Sequence, residues 1–104
     1  MDSKTLAKEL TRYIPCPIEI ESSSMQTVFE EMGWRIAENF SAIEERDKVF
    51  DLIEFGMRTG DRRLRSVVST GLIEAMISRT GAQPARWRQI SSHLGALSAA
   101  YAHG

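Results

Sequence analysis

Apolar residues recur at intervals of three and four along most of this chain, and that period leaves little besides helices for it to fold into. The clearest run is Met25, Val28, Phe29, Met32, Ile36 and Phe40, one stripe of a helix that starts after the capping serines Ser22 to Ser24. Val49, Phe50, Leu52, Ile53 and Met57 predict a second amphipathic helix, beginning at about Ala42 or Asp47 and ending at Thr59. Gly60 stops it, and Asp61 caps the helix that follows. That next helix, over residues 62–79, has one apolar face of Leu64, Val67, Val68, Leu72, Ala75 and Met76 and another carrying Ile73 and Ile77. Two apolar faces place it at the centre, between neighbours, with Gly71 permitting a close helix approach. After Gly81 and Pro84, the residues Trp87, Ile90, Leu94, Leu97 and Tyr101 step by 3, 4, 3 and 4 and predict one final helix. Its narrow stripe suits packing within the monomer, with a homodimer seam as the competing use.

The N-terminal part reads differently. Leu6 and Leu10 predict a short helix from Ser3 to Tyr13, capped by Ser3. Pro15 and Pro17 then remove backbone donors and push their predecessors out of helical geometry, so residues 14–21 should run extended over the body, with short strand pairing as the alternative. The expectation is an all-α bundle of about five helices, with residues 1–104 forming one domain. A chain of 104 residues, 42% hydrophobic and with only 3 prolines, is large enough to bury a core without metals or disulfides. A faint repeat also runs through it. Val28, Phe29 and Glu30 return as Val49, Phe50 and Asp51, and Leu52, Ile53 and Glu54 as Leu72, Ile73 and Glu74, at offsets of 21 and 20 residues. Two such units make a hairpin of about 40 residues, the size of a HEAT or armadillo repeat.

No apolar run approaches the roughly 20 residues needed to span a bilayer, and the first residues, MDSKTLAKELTRY, lack the apolar core of a secretory signal. A cytoplasmic protein without a membrane partner is expected. The single cysteine, Cys16, lies between two prolines and has no partner for an intrachain disulfide, which fits a reducing compartment.

Catalysis needs polar groups converging on one spot, and the inventory is thin. His93 and His103 form no ligand-spaced pair, the glycines form no phosphate-cradling loop, and the helical phase of Glu54 separates it from Glu74. No catalytic residue, metal ligand or cofactor is therefore expected, and binding is favoured over chemistry.

Charge is the stronger signal. Net charge is −1, yet residues 1–57 hold 6 basic and 12 acidic side chains, whereas residues 58–104 hold 7 arginines and 2 acidic ones. Mutual attraction of the two halves within the fold is one explanation. The other is an acidic face offered to a basic protein partner: Glu30, Glu31 and Glu38 around Trp34 on one helix, continued by Asp47, Asp51 and Glu54 on the next. Trp34 either anchors that face or lies covered by the Pro15 to Ile20 segment. Arg58, Arg62, Arg63 and Arg65 bracket the turn at Gly60, in a helix-turn-helix spacing that can reach DNA phosphates. A pI of about 6.1 and the acidic half argue against a nucleic-acid partner.

The stretch VFDLIEFGMRTGDRRLRSVVSTGLIEAMI, residues 49–77, resembles the helical hairpins of small HEAT-like bacterial proteins, some of which are immunity proteins of polymorphic toxin systems. The likeness rests on the apolar helix ending at Met57, the Gly60 and Asp61 turn, and the helix through Leu72, Ile73 and Glu74. It implies stoichiometric binding of one cognate toxin with no reaction catalysed, and it implies no fixed set of functional residues. An acidic face would suit a toxin with a basic cleft by imitating phosphate charge.

Overall fold

The computed structural model describes residues 1–21 and 23–103, and among them six helices and no strand are found. The helices are α1 (Ser3–Thr11), α2 (Met25–Glu38), α3 (Arg46–Thr59), α4 (residues 62–80), α5 (Pro84–Ser91) and α6 (Ala96–His103). The chain is thus an all-α bundle, and none of the described residues between α1 and α2 pairs as a strand. No described helix is long and apolar enough to cross a membrane.

Local capping sets the boundaries. Asp2, not Ser3, caps α1: its carboxylate accepts the Thr5 amide at 2.8 Å, and Ser3 is buried in the first turn. Aspartate this close to a helix N-terminus also meets the positive end of the helix dipole. Ser24 caps α2 by accepting the Thr27 amide at 3.2 Å, while the other proposed cap, Ser22, lies outside the described residues, as does Gly104. Helix α2 stops at Asn39, whose side-chain amide bonds back to the Arg35 carbonyl and also reaches the Cys16 sulfur at 3.3 Å. Phe40 therefore falls in a 3-10 turn, Phe40–Ala42, rather than on α2. Arg46 closes that turn by donating to the Phe40 and Ser41 carbonyls, both at 2.9 Å. The α3–α4 junction follows the expected pattern, with Gly60 ending α3 and the Asp61 carboxylate accepting the Leu64 amide at 2.9 Å.

Helix α4 is central. Its Leu64, Val68, Leu72, Ile73 and Met76 are almost wholly buried, and it packs along α2 while also touching α3, α5 and α6. It is not a uniform α-helix: between α-helical Arg62–Ser66 and Glu74–Thr80, the stretch Val67–Ile73 is π-helical. The wider winding shifts backbone bonding by one residue. Around it, the Ser69 hydroxyl donates to the Arg65 carbonyl and that of Thr70 to the Ser66 carbonyl, both at 2.7 Å.

The contact between α2 and α4 is unusually close because glycine faces it from both sides. A Cβ on Gly33 would collide with the Leu72 carbonyl oxygen and come within 2.7 Å of the Ala75 Cβ; one on Gly71 would lie 3.1 Å from the Phe29 Cβ. Gly71 was the glycine whose role the helical pattern suggested, whereas Gly33 carries the tighter constraint.

The C-terminal part departs from the single expected helix. It breaks at residues 92–95 into α5 and α6, which raises the helix count from five to six. Ser91 and Ser92 turn their hydroxyls back onto the Arg88 and Gln89 carbonyls. Gly95 then brings its backbone against Glu54, whose Cδ would lie 2.5 Å from an added Cβ. The 3, 4, 3, 4 stripe is therefore split: Ile90 is buried, but Leu97 is 44% exposed.

Gly33→Ala should lower stability by about 1–3 kcal/mol, because the methyl has backbone and not a flexible side-chain tip in its way. Gly81→Ala, where an added Cβ meets only ordinary contacts at 3.5 Å, should be neutral or slightly stabilising. Urea denaturation of the two variants checks this, and equal midpoints would refute the close α2–α4 contact.

Candidate functional site

The acidic residues of α2 are largely engaged within the protein. Arg35 bridges Glu31 at 3.4 Å and Glu38 at 3.1 Å, and Glu38 meets Arg79 of α4 at 3.5 Å. Glu30 accepts from the Gln26 side chain at 3.4 Å. Trp34 is half-buried, with the Arg79 guanidinium 5.2 Å from its ring centre, and it lines a shallow cleft with Glu30 on α2 and Thr70, Glu74 and Ser78 on α4. Trp34 thus belongs to the α2–α4 seam, and α4, not the proline segment, supplies its cation–π partner. Helix α2 packs most extensively on α4, and Trp34 with Glu30 and Glu38 lies along that seam.

Glu54, expected on the solvent face of α3, instead holds α6. Its carboxylate accepts the Leu97 amide at 2.9 Å, the Ser98 amide at 3.0 Å and the Ser98 hydroxyl at 2.9 Å. Desolvation is the largest influence on its acidity and raises the pKa. The two amides, the Ser98 hydroxyl and the charge of Arg58 together outweigh it, so the carboxyl sits below its ordinary value. Glu74 does related work on α4 by accepting the Tyr101 hydroxyl at 2.9 Å. Burial, and then this bond, hold the Tyr101 proton on. Glu54 and Glu74 therefore both tie down the last helix.

What remains open is the outer face of α3. Lys48, Asp51, Leu52, Phe55 and Arg58 fall at helical spacing on it and, with Glu9 and Tyr13 of the α1 end and the flank of Glu54, line a groove of about 480 Å³. Tyr13 and Phe55 are half-buried in its wall. At the start of α3, Glu44, Glu45 and Asp47 are exposed, as is Asp51 one turn on. Among the described residues, none of these four carboxylates enters an ion pair. Of the six acidic residues singled out from the sequence, Asp51 and Glu54 line this groove, Asp47 lies one turn before Asp51 at the start of α3, and the three of α2 are not part of its lining. Tyr13, Phe55, Glu44 and Glu45 escaped notice, although the run Glu44, Glu45, Asp47 was visible as the densest acidic stretch of the chain.

The arginine turn divides. Arg65 donates to the Gly60 carbonyl at 2.8 Å and so stabilises the turn itself, while Arg58 lies 6.0 Å from the Phe55 ring centre, beside the groove. Arg62 and Arg63 stay exposed beside Asp61 and Ser66. His93 packs its ring against Phe40 and Phe50, at 5.1 and 5.5 Å, and His103 lies 6.3 Å from Trp87. Among the described residues, no group of three or more His, Cys, Asp or Glu side chains is arranged to hold a metal ion.

Compared with known proteins, the chain matches no family, no curated sequence and no solved structure.

The lowered pKa of Glu54 has a defined consequence for stability. Its contribution to stability is present above the unfolded carboxyl value, near 4.5, and is lost as pH falls through the lower folded value. Glu54→Gln should therefore flatten part of the acid limb of a stability-against-pH curve and leave the neutral-to-basic slope unchanged. An unaltered acid limb in chemical denaturation from pH 3 to 7 would contradict the assignment.

Proposed function

We propose that this chain is a non-catalytic protein-binding module that presents the α1–α3 groove and the acidic start of α3 to a basic partner. The observation that carries the reading is the contrast among carboxylates. On α2, Glu31 and Glu38 are matched by Arg35 and Arg79 and the half-buried Glu30 accepts from Gln26, and Glu54 is matched by α6, whereas Glu44, Glu45, Asp47 and Asp51 stand exposed and enter no ion pair among the described residues. Such charge increases encounter rate and selects partners of opposite sign, while the half-buried rings of Tyr13 and Phe55 offer the apolar contact that lowers the off-rate. In its specific form the proposal is an immunity-type inhibitor that neutralises a cognate toxin with a basic surface by direct binding. The resemblance of residues 49–77 to HEAT-like hairpins supports that form.

The second reading, a DNA-binding regulator, retains one favourable observation: Arg62 and Arg63 are exposed and enter no ion pair among the described residues. Two arginines supply few phosphate contacts, and the exposed carboxylates of α3 oppose any long-range attraction to nucleic acid.

Affinity capture from the native host, run in parallel with wild type, Asp47→Lys plus Asp51→Lys, and Arg62→Ala plus Arg63→Ala, separates the two. The expected outcome is a basic protein retained by wild type and by the arginine variant and lost with the charge reversal. Its association rate should fall with rising salt. Capture that ignores the reversal, or nucleic acid retained until the arginines are removed, would overturn the proposal. Once that partner is purified, Tyr13→Ala or Phe55→Ala should raise its off-rate about tenfold or more.

A further inference from the structure

Helix α6 is attached in a different way from the rest of the bundle. Each of the other helices carries at least one large apolar side chain into the core, such as Leu6 and Leu10 on α1 or Ile90 on α5. On α6 the only fully buried residue is Ser98, and its largest aliphatic side chain, Leu97, is 44% exposed. A helix of eight residues has no independent stability in water, so its structure depends on what it is fastened to.

The fastenings are polar and few. Glu54 of α3 accepts three hydrogen bonds from the first turn of α6, at 2.9, 3.0 and 2.9 Å, and Glu74 of α4 accepts one from Tyr101 at 2.9 Å. Tyr101 and Ala102 add partial apolar contact. The connection to α5 lies outside any helix, at residues 92–95, so α6 can move without unwinding its neighbour. Elements with little buried apolar area and a few exposed polar ties are those that open locally in proteins.

We propose that α6 is a releasable strap latched by Glu54, which opens and closes as a unit while α1 to α5 stay folded. The latch residue has a second position in the molecule: the same carboxylate flanks the α1–α3 groove, with Arg58 nearby. Opening the strap therefore frees a carboxylate at the groove wall and uncovers the part of α3 and α4 on which α6 rests. This inference concerns the fold alone and stands whether or not the groove binds a protein.

Hydrogen–deuterium exchange of the full chain at neutral pH, followed by mass spectrometry, tests it with wild type, Glu54→Ala, Glu54→Gln and Tyr101→Phe. In wild type, peptides covering residues 96–103 should exchange faster than those of α2 and α4, yet slower than unstructured chain. Glu54→Ala should accelerate exchange in 96–103 by about tenfold or more, the effect of losing hydrogen bonds to a charged acceptor, with α2 and α4 unchanged. Glu54→Gln keeps one carbonyl acceptor and should fall between, and Tyr101→Phe should give a smaller acceleration confined to the same peptides. Exchange in 96–103 that is already at the unstructured rate, that ignores Glu54, or that rises only together with the whole chain would overturn the strap. A Glu54→Ala variant that fails to fold, with Glu54→Gln raising exchange everywhere, counts as the last of these.

Discussion

The rest of the structure depends on how closely α2 and α4 approach. Gly33 faces Leu72 and Ala75, and Gly71 faces Phe29, so two helix backbones lie nearer than any side chain between them would allow. Close packing at that distance buries Phe29, Met32 and Ile36 of α2 in the same core cluster as Val68, Leu72 and Met76 of α4, all essentially inaccessible to water. The seam also determines what its margin can do. Trp34 and Glu38 are drawn onto Arg79, so the charge of Glu38 is matched within the protein.

The consequences for function follow from where each carboxylate finds a partner. Arg35 and Arg79 pair with Glu31 and Glu38 of α2, amides and hydroxyls occupy Glu54 and Glu74, and Asp61 caps α4. The acidic character of the first half of the chain therefore reaches solvent most strongly at Glu44, Glu45, Asp47 and Asp51, beside a groove with aromatic rings in its wall. Attraction between the two halves is seen at Glu38 and Arg79, and the exposed carboxylates at the start of α3 are different residues that take no part in it.

Much of the architecture was legible because it follows from periodicity. Helix α4 was identified as central from its two apolar faces, and Gly60 with Asp61 marked the turn before it, since burial and capping are local consequences of residue type. Three features were not legible for a common reason: each depends on a tertiary partner. The break at residues 92–95 is hidden by a stripe that continues in register across it, and only the approach of Glu54 to Gly95 explains why the chain turns there. Glu54 itself has a solvent-face phase on α3, and its amide partners lie more than 40 positions away. Gly33 gives no sign of its role in the sequence, because nothing local says which helix will press against it. The candidate site was half visible: Asp47 and Asp51 stood out by charge, while Tyr13 and Phe55 acquire meaning only when α1 lies beside α3.

Nuclear Overhauser contacts test the α2–α4 seam most directly, since they report on the seam without altering it. The account predicts strong cross-peaks from the Gly33 α-protons to the Ala75 methyl and from the Gly71 α-protons to the Phe29 β-protons, as expected for carbons in van der Waals contact. Absence of both in an otherwise well-dispersed spectrum would mean that α2 and α4 do not meet through their glycines, and the arrangement of every surface described above would be wrong.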